Sequence, residues 1–192
     1  MIDKIIWFVK TNLFLRFRIK TIGLLTYIGS PIHLYGGNKI FIGNKVRIFP
    51  GSRMEVHNNG SILMENNISI GQNLHLISSN EQLKICRDTT ISGNVFITNI
   101  DHDYQEIDVH ILDQKYVIKT TQIGENCFIG YGAALQAGTI LGRQCIVGAN
   151  SVVRGEFPDY CVIAGAPAKI VKRYNQQTKN WEKTDSKGYF IK

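Results

Sequence analysis

The chain has 192 residues, 44% hydrophobic and 19% charged, with 18 Gly against 4 Pro, a composition that suits one Gly-rich globular domain and excludes a disordered or collagen-like chain. Basic residues (22) outnumber acidic ones (15), and the excess sits at the two ends: residues 1–20 carry five basic and one acidic side chain, residues 166–192 seven and two. The body between them is mildly acidic, which argues against a nucleic-acid binder and points to a smaller anionic ligand or a membrane surface. The apolar run Ile5–Val9 is shorter than the ~7–15 residues of a signal core, and no stretch approaches the ~18 apolar residues of a membrane span, so the expected location is the cytoplasm. Cys86, Cys127, Cys145 and Cys161 follow no CxxC or Cys/His spacing, so neither disulfides nor a metal site are expected.

Residues 2–28 place apolar side chains at 2, 5, 6, 9, 13 and 17, the spacing of a helix face. Two readings stand: a cap over the open end of the rest of the domain, or a helix lying on anionic lipid through residues 2–28. Segment 1–30 is therefore read as an N-terminal helical cap.

From Ile42 onward an aliphatic residue returns every six positions, in pieces at first: Ile42 and Ile48, with slim or small companions Val46 and Ser52 four positions later. Around 54–82 the rhythm stumbles, because the companions of Met64 and Ile70 are the large Ile68 and Leu74. It returns at Ile85, Ile91 and Ile97. His57 and His75 are separated by three hexads, one coil of such a repeat, and are expected to stack as a surface ladder, with substrate or metal contact as the alternative; His75 is also a candidate acceptor contact, as is Asn80 near the phase kink at 77–83. His33 and His110 are given no role.

Between Ile97 and Ile123 the rhythm fails and the interval is not a whole number of hexads, so 98–120 is read as an extruded loop carrying Asp101-His102-Asp103, Glu106 and Asp108. The acidic residues lack the turn glycine and closing Glu of a calcium loop, and a solvated loop is the plainer reading. After it come six aliphatics in unbroken phase, Ile123, Ile129, Leu135, Leu141, Val147 and Val153. Slim residues follow four positions on (Cys127, Ala133, Thr139, Cys145, Ser151), and residues at home in turns, mostly Gly and Asn, three positions on (Asn126, Gly132, Gly138, Gln144, Asn150). Three sides of one hexad each close a triangular coil, and stacked coils make a parallel β-helix over 31–168. Residues 169–192 form a basic extension with Trp181 and Tyr189 as anchors.

Residues 40–173, most specifically Ile123–Gly130 through Val162–Lys169, resemble the hexapeptide-repeat acyltransferases, whose fold is a left-handed parallel β-helix and whose usual assembly is a homotrimer. Within that family the resemblance is to galactoside, maltose and surface-polysaccharide O-acetyltransferases; the long helical domain of serine acetyltransferases has no counterpart here. The resemblance implies acetyl-CoA as cosubstrate, a sugar hydroxyl as acceptor, and a general base in the extruded loop, which falls on His102 with Asp101, Asp103 or a carbonyl orienting its ring. An imidazole suits that task at neutral pH. For acetyl-CoA the resemblance implicates Tyr131, Ala149, Arg154, Lys169 and Lys172, although the family often has a small residue at the first of these and Thr at the third. Three rivals remain: an N-acetyltransferase of a nucleotide-linked amino sugar, a carbonic anhydrase-like metal hydratase, and a non-catalytic β-helix scaffold.

Overall fold

The computed structural model describes residues 2–191, which fold into a three-sided prism of parallel strands. Face A runs from Thr21–Ile22 to Glu156–Phe157, face B from Tyr27–Ile28 to Cys161–Gly165, and face C from His33–Tyr35 to Val152–Val153. Each strand pairs with the strand one coil away, as in Ile28↔Ile48, Ile48↔Ile70 and Ile70↔Ile91.

The hexad explains this geometry residue by residue. All six aliphatics of the 123–153 series point into the prism with 1% exposure or less. The turn residues between them adopt the left-handed backbone, from φ 51° at Gln144 to 85° at Gly138, where Gly and Asn cost least. The slim residues are buried at the corners, and their polar atoms donate to carbonyls of the adjoining coil: Thr139 Oγ1 to Val153 O at 2.9 Å, Cys127 Sγ to Gly142 O at 3.2 Å, Cys145 Sγ to Pro158 O at 3.3 Å. All four cysteines are free and buried. Hydrogen bonding to Cys127, together with burial, pushes the Cys145 thiol up to about 12, so Cys145 serves as packing rather than as a nucleophile.

Coil length is not constant. Partners on face B are three hexads apart at Ile129↔Val147, whereas Ile48↔Ile70 spans four positions more than that and Ile70↔Ile91 three more. The extra residues lengthen face C, where Arg53–His57 and His75–Ser79 are long strands against the short Ala134–Leu135. Ile68 and Leu74, too large for a regular corner, are fully buried in this wider part.

Both ends are closed by the chain itself. At the N-terminal end the lid is the short segment after helix α1 (Ile2–Leu13): Ile19 is buried and Leu15 packs on the core, while Lys20 N–H donates to Gly37 O at 2.9 Å. The helix expected to be the cap lies instead beside face B. Thr11 accepts from Ile28 N–H at 2.8 Å and donates to Ile28 O at 3.3 Å, and Trp7 packs on Tyr27 and Phe49. The apolar residues expected to face the core, Ile2, Ile5, Ile6, Val9, Leu13 and Phe17, are exposed. The first strand, Thr21–Ile22, already falls inside the 1–30 segment. At the other end Ala168–Asn175 folds back antiparallel on Cys161–Gly165, followed by Asn180–Lys183, so the basic extension continues face B and buries Ala168 and Ile170.

Candidate active site

The loop between Ile97 and Ile123 leaves the prism as an antiparallel hairpin, Ile100–His102 against Tyr116–Ile118. Its base is fixed by Asn99, fully buried, which accepts from Ser79 N–H at 2.9 Å and donates to Ser79 O at 3.1 Å. Thr121 Oγ1 donates to Thr98 O at 3.0 Å, and Thr120 Oγ1 to Glu81 Oε2 at 2.8 Å. The tip is ordered by Gln114, whose side chain bonds Glu106 and Val109 main-chain groups. His102 therefore stands on a braced arm. Its ring meets the Tyr116 ring edge-on at 4.9 Å, and among the described residues neither of its nitrogens has a hydrogen-bond partner.

Beneath the hairpin the long strands of face C present a polar row. Because Met54 and Val56 point inward, alternation turns Arg53, Glu55 and His57 outward. Glu55 is nonetheless only 6% exposed, since its neighbours cover it. His57 Nε2 lies 2.9 Å from Glu55 Oε2, Arg53 Nε donates to the other oxygen, and His33 Nε2 is 4.0 Å from it. Burial works to raise the Glu55 pKa, but the hydrogen bonds and charges of His57 and Arg53 outweigh it and hold the carboxyl below its usual range. Glu55 and His57 share a cavity of about 420 Å³ with His102, Tyr116, Phe96 and Ile77, a volume in the range of ligand clefts. One end is thus apolar and aromatic and the other carries a carboxylate–imidazole pair. An unpartnered imidazole looks in from the hairpin.

Sequence reasoning missed Glu55 and read His57 first as part of a surface ladder with His75. His57 pairs in register with Ser79, and His75 with Arg53 and Phe96, so the expected stack of His57 on His75 does not form. The cause is the longer coil at this level, where Arg53↔His75 spans four positions beyond three hexads. His75 packs its ring against Phe96 at 5.1 Å, and burial together with the Arg53 charge lowers its pKa. Neither His75 nor Asn80, which turns a corner at φ 57°, lines the cavity.

Asp101 and Asp103 do not touch His102. On a strand successive side chains point to opposite sides, so both flanking carboxylates face away from the imidazole. Asp101 is bound by Arg154 across the hairpin's other face, and Asp103 accepts from Gln105 N–H at 3.1 Å. Tyr131 and Ala149 occupy consecutive coils of the corner between faces B and C, joined by Asn150 N–H to Tyr131 O at 2.8 Å, with Asn94 donating to the Tyr131 hydroxyl. Arg154 stands at the opposite edge of face C. Lys169 and Lys172 are exposed on the Ala168–Asn175 strand, and among the described residues neither is paired with a carboxylate, which leaves two cations fit to receive phosphate. One chain thus divides the expected residues into separate groups. Among the described residues no three His, Cys, Asp or Glu side chains converge as metal ligands.

Prism, hexad and extruded hairpin together define a class, and comparison agrees. The model described as "Bacterial transferase hexapeptide (six repeats)" matches residues 120–155. The chain is 36% identical over 166 residues, covering 80% of this chain and 81% of the relative, to WbbJ of Escherichia coli (strain K12), provisionally named a lipopolysaccharide biosynthesis O-acetyl transferase. It belongs to the hexapeptide-repeat acyltransferases and is an enzyme of acyl transfer. Galactoside O-acetyltransferase of the same organism is 31% identical over 63% of this chain and 61% of its own length. Among solved structures, AntD, an N-acyltransferase from Bacillus cereus in complex with dTDP and 3-hydroxybutyryl-CoA, shares the fold with a TM-score of 0.70 at 16% identity, covering 85% of this chain and 88% of its own.

Proposed function

We propose that this enzyme moves acetyl from acetyl-CoA to a sugar hydroxyl in the building of a bacterial surface polysaccharide, O-antigen or capsule, as a cytoplasmic homotrimer. The observation that carries the reading is the unpartnered His102 imidazole at a ligand-sized cavity on a braced hairpin. His102 takes the proton of the acceptor hydroxyl as its oxygen bonds to the thioester carbon. The carbon–sulfur bond then breaks and the proton passes to the departing thiolate. No covalent acyl-enzyme is needed. The Glu55–His57 pair binds other hydroxyls of the acceptor, its carboxylate accepting and its imidazole fixed in one orientation. Asp101, bound to Arg154, holds the hairpin to the later coils rather than orienting the base.

The division of the site supports the trimer. Tyr131 and Ala149 lie at one edge of face C and His102 with Arg154 at the other, so a threefold rotation about an axis parallel to the prism brings one edge of a chain to the opposite edge of its neighbour. Acetyl-CoA then lies in the cleft between chains, with Lys169 and Lys172 at its phosphates.

The names of the relatives support an O-acetyl acceptor. The test is a CoA-release assay over hydroxyl and amino sugars with products weighed by mass spectrometry. Products esterified at oxygen are expected; transfer confined to the nitrogen of nucleotide-linked amino sugars would replace this reading, and no CoA release with any acceptor would point to a scaffold.

A further inference from the structure

Helix α1 is amphipathic in the wrong sense for a soluble surface helix, whose apolar stripe faces the core. Its packed side is Trp7 and Thr11. At about 100° per residue Ile5, Val9, Ile2, Leu13 and Ile6 fall within an arc of about 100° on the opposite side. They are 42–74% exposed, and the ridge continues through Phe14 and Phe17, the latter 86% exposed. Basic side chains interleave with and flank this ridge: Lys10, Arg16, Arg18 and Lys20 are all exposed. Two niches open beside it. One of about 190 Å³ has apolar walls of Phe14, Leu15, Ile28 and Pro31 with Lys10 at its rim; the other, about 270 Å³, is lined by Arg16, Arg18, Lys20 and Asn38.

We infer that this face docks on an anionic phospholipid bilayer, the α1 stripe and Phe14–Phe17 entering the acyl boundary while Arg16, Arg18 and Lys20 meet headgroup phosphates. Apolar side chains alternating with long cations match a lipid interface, where stems bury and charged ends reach phosphate. The local excess of five basic over one acidic residue in 1–20 supplies the electrostatic attraction, whereas a second copy would bring like charges together. Among the described residues no helix is long and apolar enough to cross a membrane, so the contact lies in the plane of the surface. The inference is independent of the acceptor's identity.

The test is co-sedimentation of the full chain with vesicles of equimolar phosphatidylglycerol and phosphatidylcholine, against phosphatidylcholine alone. Binding to the anionic vesicles, weakened by salt, is expected. The double variant Ile5→Glu with Val9→Glu, on the outward stripe, is expected to bind at least about tenfold more weakly. Lys10→Glu with Arg18→Glu, which leaves the stripe intact, lowers binding by on the order of tenfold or more. Sedimentation velocity and circular dichroism of both variants should match the unmodified protein. Absence of binding to anionic vesicles, or binding unchanged in both variants, overturns the inference. So does dissociation of the assembly by Ile5→Glu with Val9→Glu, which would make the stripe a contact between chains.

Discussion

Replacing Asn99 with Ala removes the buried side chain that ties the base of the extruded hairpin to the coil beneath it. Asn99 is fully buried and bonds both main-chain groups of Ser79, at 2.9 and 3.1 Å. A buried donor left without its partner costs about 1–3 kcal/mol, and that is the loss expected here, because the Ser79 N–H is orphaned while Ser79 O still accepts from Glu81 N–H at 2.6 Å. Asn99→Asp does not rescue: it keeps the acceptor for Ser79 N–H but turns an oxygen toward the Ser79 and Glu81 carbonyls that the amide had served. Asn59→Ala, in an exposed turn, serves as control and stays within about 0.5 kcal/mol. Denaturant unfolding gives the stability change, and hydrogen exchange at the Ser79 amide shows whether the loss is local. Turnover should fall along with protection, because His102 is positioned by the strand that starts beside Asn99. Wild-type stability with unchanged Ser79 protection would refute the assigned bracing role.

His75 carries a folded-state pKa below that of the unfolded chain, so its contribution is present above about pH 6.5 and is lost as pH falls from there through the lowered folded value. His75→Phe should therefore flatten the decline in unfolding midpoint between neutral and mildly acidic pH; an equally steep decline would assign it to another group. For Glu55, whose folded pKa is depressed, the stabilising contribution is present above the unfolded value of about 4.3 and fades as pH falls through the lower folded one. Glu55→Gln should weaken acceptor KM more than kcat, read from initial rates, and should reduce the steepness of acid unfolding; a change in kcat alone would contradict an acceptor-binding role. The four buried thiols should stay silent to an aromatic disulfide reagent in the folded protein and all react after unfolding, whereas labelling of Cys145 before unfolding would contradict its burial.

The fold is legible where each hexad carries one branched aliphatic and one slim residue, because a triangular coil leaves room for nothing larger at its corner. Cys127, Cys145 and Thr139 are readable as packing for the same reason. The extruded hairpin announces itself as a break in phase, which puts His102 on an arm outside the prism. The other wall of the cavity is hidden by the same arithmetic: the stretch 54–82 loses the rhythm because its coils are three or four positions longer than three hexads. Its signal lies in another period, since Arg53-Met54-Glu55-Val56-His57 alternates polar and apolar as a strand with one wet face. Proximity in sequence joins Asp101 and Asp103 to the imidazole, but a strand sends neighbours to opposite sides. Helical spacing at 2, 5, 6, 9 and 13 identifies a stripe but not its direction; periodicity carries no sign, and it is Thr11 bound to Ile28 and Trp7 packed on Tyr27 and Phe49 that turn the stripe outward.

The most direct test pairs catalysis with binding in one variant. His102→Ala should lower acetyl transfer by about 10²–10⁴-fold, the usual worth of a general base, while calorimetry finds CoA bound with unchanged affinity and sedimentation finds the same assembly. Transfer within tenfold of the unmodified enzyme, in a variant that still binds CoA and still assembles, would contradict the account.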